Sequence, residues 1–295
     1  MKHGTILLTG ARGQVGRELV PLLHQLGDVV APERDTLDLA DRDAIAATMR
    51  RVRPSIVVNA GAFTAVDAAE SQRDLAFAIN ADAPGVLADE ARRANALLVH
   101  YSTDYVFDGA ARAPYTEASP TAPLSLYGES KLEGERRIAQ SGARALVFRT
   151  SWVYGLHGRN FLLTIRRLAA ERDTLSIVDD QVGVPNWSRE LARATARVLG
   201  LERPALDERA GLYHLSCSGD TTWFGFAQAF LGDAARARLV PIATDGYPTP
   251  ARRPAYGVLD TTRFRHAFGF ELPHWRDALT ECLATTADPP ARAVV

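Results

Sequence analysis

The sequence is poor in cysteine and has no excess of charge of either sign. Its two cysteines, Cys217 and Cys282, lie far apart and join no Cys-x-x-Cys pair or Cys/His cluster, which argues against a disulfide framework and a zinc site. Lys and Arg number 34 against 35 Asp and Glu, a formal net charge of −1 with both signs interspersed. No basic patch points to nucleic acid. No apolar run reaches the roughly 18 residues of a bilayer span, and the first residues enter a strand pattern without a signal-peptide pattern. The expectation is a cytoplasmic protein that meets neither nucleic acid nor membrane. Internal repeats are lacking too, and the closing TTADPPARAVV is expected to fray.

What the chain does have is alternation. At 295 residues it can bury a substantial core and is long for one compact domain. TILLTG, DVVAPE, SIVVNAG, ALLVHYSTD and ALVFRTS read as strands, separated by QVGRELVPLLHQL, DRDAIAATMRR, the long segment 64–93 and KLEGERRIAQ. Parallel strands need crossovers, so this order predicts an α/β, Rossmann-type, doubly wound parallel sheet with helices on both faces. Residues 1–152 are assigned to that domain. Residues 153–295 are assigned mainly to a smaller mixed α/β substrate lobe, with some segments returning to the first domain. There NFLLTIRRLAA reads as helix, LSIVDDQVGVPNW as strand then loop, and SRELARATARVLG as a helix with Ser188 at its N-cap. GLYHLSC, TTWFGFAQAFL, the proline-rich DGYPTPARRPAYG and a terminal helix complete the lobe.

The first strand breaks into GARGQVG, residues 10–16, and leads straight into a helix. Gly10, Gly13 and Gly16, with Gln14 and Val15 opening the helix, suit a dinucleotide pyrophosphate, because backbone N–H groups and a helix N-terminus favour an anion. After the second strand an acidic residue would bind the ribose 2′-OH of NAD, whereas arginine meets the 2′-phosphate of NADP. Glu33 and Arg34 occur there together and Arg12 sits in the glycine turn, which leans toward NADPH and leaves NADH open. Asp38 and Leu39 are placed beside the adenine, and Ala60, Gly61 and Ala62 along the cofactor.

Tyr127 and Lys131 stand four residues apart in a helical pattern, hence on one face. A carbonyl that accepts hydride becomes an alkoxide and needs a proton donor and a charge stabiliser. Tyr127 is the expected donor, Lys131 the group that brings its pKa down and contacts the ribose, and Thr103 a second hydroxyl at the same oxygen. Arg252 and Arg253, adjacent in a proline-stiffened loop, suit a diphosphate. Trp187, Trp223 and Trp275 read as packing aromatics and His100 as a satisfied core residue. His157 and Arg159 lie in a glycine-bounded loop that either faces the ligand or the solvent.

GARGQVG, LDLAD, NAGAFTAVDAAE, INADAP, YSTDYVFDG, PLSLYGESKLEGE, RTSWVYG, NFLLTI, DDQVGVP and PTPARRP occur in order. Together they resemble the dTDP-4-dehydrorhamnose reductase family of the extended short-chain dehydrogenase/reductases. The resemblance implies NAD(P)H-dependent reduction of the C4 ketone of dTDP-4-dehydro-L-rhamnose by a monomer or homodimer. It implies catalysis by Tyr127 and Lys131, contacts of Thr103 and Asp104 with the sugar, Trp152 against it, and cofactor contacts along residues 10–16, Asp38, Leu39, 60–62, Tyr127 and Lys131. Some members hold Mg²⁺ at a dimer interface through glutamates near the C-terminus, and this chain has none after Glu281, so no metal ligand is assigned. A related 4,6-dehydratase carries Thr-Asp-Glu where this chain has Thr103, Asp104 and Tyr105. A 4-epimerase and a non-catalytic subunit resembling the regulatory subunit of methionine adenosyltransferase are the alternatives.

Overall fold

The computed structural model describes residues 3–232 and 236–287. The first half contains β1 (His3–Thr9), α1 (Gln14–Leu23), β2 (Gly27–Val30), α2 (Arg42–Val52) and β3 (Ile56–Asn59). Short α3 (Val66–Ala69) and α4 (Arg73–Phe77) run through a π-helical turn, Ala78–Asp82, into α5 (Ala83–Arg93). Then come β4 (Leu97–Thr103), α6 (Leu126–Ser141) and β5 (Ala145–Thr150). The second half contains β6 (Val153–Tyr154), α7 (Phe161–Glu171), β7 (Thr174–Val178), β8 (Val182–Gly183), β9 (Asn186–Trp187), α8 (Ser188–Leu199) and α9 (Arg203–Glu208). It closes with β10 (Gly211–His214), β11 (Thr221–Thr222), α10 (Trp223–Leu231), β12 (Arg238–Ile242), α11 (Thr262–Phe268) and α12 (Trp275–Ala287).

Six strands form one parallel sheet in the order β2-β1-β3-β4-β5-β10. Within a strand, successive side chains face opposite sides. Thus Ile6 and Leu8 pack with Leu19 and Leu23 of α1 and Leu191 of α8, whereas Leu7 packs with Ile45 and Met49 of α2, Leu87 of α5 and Ile138 of α6. Both faces are covered, which explains why the strands read as nearly continuous apolar runs. Each fully buried leucine of this kind stabilises the fold by about 1.5–3 kcal/mol.

Two elements beyond residue 152 build this body: β10 lies beside β5, and α8 packs along α1. Three smaller pairs, β6 with β9, β7 with β12 and β8 with β11, frame the rest. Ser188 is not an N-cap. Pairing with Tyr154 keeps Trp187 extended at φ −68° and ψ 126°, so Trp187 takes the cap position without a side-chain bond and Ser188 becomes the first helical residue. The second strand stops at Val30, two residues short of Pro32. Of the closing segment expected to fray, residues 285–287 belong to α12 and residues 288–295 lie outside the described residues. No helix among the described residues is long and apolar enough to cross a membrane.

Candidate active site

In a parallel sheet all the carboxyl ends lie on one edge, and the strand order reverses between β1 and β3. Gly10 there has φ +71°, and a Cβ on it would collide with the backbone of Ala60 and Gly61. Gly16 is close-packed in a different way: a Cβ there would strike the Gly10 carbonyl oxygen, so it seats α1 on the turn. Gly13 is the N-cap of α1 and brings no capping side chain to the first-turn amides.

A cleft of about 280 Å³ opens in front of this turn. Gly10, Arg12 and Gly13 line it together with Arg34, Asp38, Leu39, Gly61 and Ala62. Gln14, Val15, Gly16 and Ala60 are not among the lining residues. The Gln14 side chain is turned to the second half of the chain, donating to the Val153 carbonyl at 3.4 Å and accepting from Asn160 Nδ2 at 3.0 Å. At the mouth Arg12 and Glu33 form an ion pair, whereas exposed Arg34 makes no ion pair or side-chain hydrogen bond among the described residues.

Thr103 closes β4 and Tyr127 lies in the first turn of α6. Ser125 caps that helix by accepting from Gly128 N at 3.2 Å, and Gly128 has no side chain to hit the Tyr105 carbonyl oxygen. The helix start therefore closes on the strand end and brings the Tyr127 side chain up to Thr103, with the Tyr127 ring edge-on to Tyr105 at 5.6 Å. Burial pushes the Tyr127 phenol up to about 12, the Thr103 contact opposing it. Lys131, expected to pull that pKa down, is not among the groups that set it here. Lys131, 2 % exposed, is turned into the sheet, where Nζ donates to the Tyr101 carbonyl at 2.6 Å and lies 3.3 Å from His100 Nε2. Burial lowers the ammonium to about 8, with Glu135 opposing.

His100 is fully buried, and burial, reinforced by Lys131, holds it well below its ordinary range. Its Nδ1 lies 3.0 Å from Asn59 Nδ2, and Asn59 Oδ1 accepts from Thr9 Oγ1 at 2.6 Å, so a polar chain runs from the glycine turn to Lys131. Asn80 was not anticipated. The π-helical turn directs its buried amide to both backbone groups of Phe63, at 2.8 and 3.0 Å, and to Ser130 Oγ at 3.0 Å, tying the loop after β3 to the turn of Tyr127. The available signal was one asparagine among the alanines of a helical stretch, INADAP.

Asp104 is 1 % exposed. Oδ1 accepts from Thr103 Oγ1 at 3.1 Å, while Oδ2 has no hydrogen-bond partner among the described residues and abuts Gly257. Burial raises this carboxyl to about 7. Its folded pKa exceeds the unfolded value of about 3.9, so its contribution is fully present below that value and is lost as pH rises through about 7. We therefore expect Asp104→Asn, which keeps the Oδ1 acceptor, to gain thermal stability relative to the parent between about pH 4 and pH 7. A melting-temperature difference constant across that range would refute this.

Trp152 follows β5 at the same sheet end, since Thr103 and Thr150 are register partners. Trp223, expected as a packing residue, stacks flat on it, with ring centroids 3.6 Å apart. Trp187 and Trp275 are core residues at 0 % and 1 % exposure. Arg253 is half-buried and its Nη2 donates to Asp67 Oδ2 at 2.8 Å, while Arg252, His157 and Arg159 are exposed. Among the described residues no three His, Cys, Asp or Glu side chains cluster as metal ligands.

A glycine cradle at the strand reversal, with half-buried Tyr127 and buried Lys131 on the helix beside it, defines an oxidoreductase of the extended short-chain dehydrogenase/reductase class. The model of the family described as RmlD substrate binding domain matches residues 4–287. The dTDP-4-dehydrorhamnose reductase of Burkholderia thailandensis is 47% identical over 290 residues, covering 94% of this chain and 97% of its own length. That of Escherichia coli K12 is 42% identical, covering 96% and 99%. A crystal structure of the Bacillus anthracis dTDP-4-dehydrorhamnose reductase in complex with NADP superimposes with a TM-score of 0.90 at 32% identity, covering 97% of this chain and 100% of that one. The chain belongs to the dTDP-4-dehydrorhamnose reductase family.

Proposed function

We propose that this chain reduces the C4 ketone of dTDP-4-dehydro-L-rhamnose to dTDP-L-rhamnose with NADPH. The observation that carries the reading is the placement of Thr103 at the end of β4 and Tyr127 in the first turn of α6 beside it, at the sheet edge that also holds the glycine cradle. The cradle fits a dinucleotide, because the cleft opens in front of the turn and the α1 amides carry no capping side chain. Residues 10–13 and the first-turn amides of α1 would hold the pyrophosphate, Asp38 and Leu39 the adenosine, Gly61 and Ala62 the central part and Lys131 the nicotinamide ribose. When bound, the cofactor supplies the hydride.

The chain's own groups handle the oxygen and the proton. Tyr127, protonated at neutral pH, gives its proton to the oxygen as negative charge develops there, and Thr103 orients that oxygen. Asp104 steadies Thr103 and contacts the sugar, with Trp152 as a flat wall beside it. Arg253 takes the diphosphate, its guanidinium oriented by Asp67. Tyr105 stands where an elimination would need a second acid, which favours reduction over 4,6-dehydration. Loss of reduced-nicotinamide absorbance with dTDP-4-dehydro-L-rhamnose, and recovery of dTDP-L-rhamnose, test the reading. Cofactor binding without oxidation by any nucleotide-linked ketosugar would point to the non-catalytic alternative.

Preference for NADPH follows from the cleft mouth. Glu33 is held by Arg12 and is less free to accept from a ribose hydroxyl, while Arg34 is unengaged among the described residues. Arg34→Ala is expected to weaken NADPH binding more than NADH binding, by the roughly 1.5–3 kcal/mol of a hydrogen bond to a charged group, reduced by the site's exposure. Equal losses for the two cofactors in titration would sink this assignment.

A further inference from the structure

We infer that Trp223 is a positioning residue for sugar recognition, fixing the Trp152 indole as one layer of a rigid aromatic pair. The inference rests on the reading of Trp152 as the wall of the sugar site. Trp152 is a bulky residue at φ +40°, a backbone conformation that L side chains avoid. Such strain persists only where the surroundings over-determine it, and it concentrates at functional sites. Here the backbone is held on both sides. The Ser151 hydroxyl donates to the Val184 carbonyl at 2.9 Å, Asn186 Nδ2 donates to the Ser151 carbonyl at 2.8 Å, and Asn186 N donates to the Trp152 carbonyl at 3.1 Å.

Those bonds fix the backbone but leave χ1 and χ2 of a half-exposed indole free. Trp223 supplies the missing constraint. The two indoles are 10° from parallel with centroids 3.6 Å apart, and Gly183 lies so close that a Cβ there would collide with the Trp152 ring. Trp223 is itself held from several sides. It opens α10, capped by Thr222 through Gly225 N at 3.0 Å, directly after the β11–β8 pair that sets Thr221 opposite Gly183. Its Nε1 donates to Gln181 Oε1 at 3.2 Å, and Phe161 packs on it at 4.6 Å. Gln181 is 5 % exposed and spends its own Nε2 on Thr244 Oγ1 at 3.0 Å. A flat, backed indole suits the C–H face of a hexose ring and excludes ring conformers that would project a substituent into it. Trp223 needs no contact with the sugar for this role.

The test is a double-mutant cycle on the full-length protein with NADPH and dTDP-4-dehydro-L-rhamnose. Trp223→Leu is expected to lower kcat/KM for the sugar nucleotide about tenfold with NADPH affinity unchanged, and Trp223→Phe to restore most of it. The near-ultraviolet circular dichroism of the coupled indoles should vanish in Trp223→Leu and equally in Trp152→Leu. In the Trp152→Leu background, Trp223→Leu should add no more than roughly twofold, because its route of action is gone. An equal loss in both backgrounds overturns the inference, and so does parental kinetics in Trp223→Leu while Trp152→Leu is impaired. Parental kinetics in Trp152→Leu would overturn the sugar-wall reading itself and the inference with it. Should Trp223→Leu fail to fold, Trp223→Phe and its double with Trp152→Leu carry the same comparison, with a smaller loss that is again confined to the Trp152 background.

Discussion

Tyr127→Phe is expected to cut turnover by about 10²–10⁴-fold, the range of a positioned general acid, while fold and NADPH affinity stay close to the parent. Only the hydroxyl is removed. The ring keeps its edge-on contact with Tyr105, and the helix start keeps its Ser125 cap and the Ser130 hydroxyl bond to the Tyr127 carbonyl at 2.8 Å. The half-buried hydroxyl lies beside Thr103 and desolvation raises its pKa to about 12, so the protonated form is the one present at neutral pH. A donor with so high a pKa releases its proton only as charge develops on the substrate oxygen, which ties its effect to the transition state and hence to kcat. Steady-state kinetics with thermal unfolding as a control decide the matter. A kcat within a few fold of the parent would remove Tyr127 from the chemistry.

What the sequence disclosed and what it hid divide by range. The glycine turn is local: three glycines between a β-branched run and an amphipathic stretch leave few backbone solutions, and Gly10 and Gly16 do sit where a Cβ has no room. The strand alternation is local too, and all five strands read from the first half are present. Tyr127 and Lys131 share a helix face because helical spacing requires it. Where their tips point is another matter. It depends on β4, which offers Lys131 the Tyr101 carbonyl and His100, and no periodicity in α6 encodes that. The same holds for Trp223, whose aromatic run TTWFGFAQAFL reads as core until β8 and β11 bring it onto Trp152. Ser188 fails as a cap for a related reason: serine before an amphipathic run is a good local signal, but pairing of Trp187 with Tyr154 moves the boundary by one residue. Arg34 and Arg12 together lean the sequence toward NADPH, but that Arg12 is paired with Glu33 and leaves Arg34 without an ion pair is visible only in the fold.

On the proposed function Lys131 holds the nicotinamide ribose, so Lys131→Met is expected to weaken NADPH binding and, by letting the cofactor shift, to lower kcat with it. It should do so without destabilising the fold at neutral pH. Burial brings the ammonium down to about 8, below the unfolded value of about 10.4. For a base whose folded pKa is depressed, the stability contribution is present above the unfolded value and is lost as pH falls through the folded one. Charged Lys131 therefore costs the fold stability at pH 7, and methionine, similar in length and apolar, removes that cost. Against this gain stands the Tyr101 carbonyl, which loses a donor at 2.6 Å, a penalty of about 1–3 kcal/mol that does not vary with pH. The difference in melting temperature between Lys131→Met and the parent should accordingly move against the variant from about pH 8 to about pH 10. Thermal scans across that interval, beside NADPH titrations and kinetics at pH 7, separate the two contributions. A stability difference flat with pH would mean that Lys131 is not a buried ammonium under strain, and unchanged kcat and NADPH affinity would mean that its burial serves packing alone.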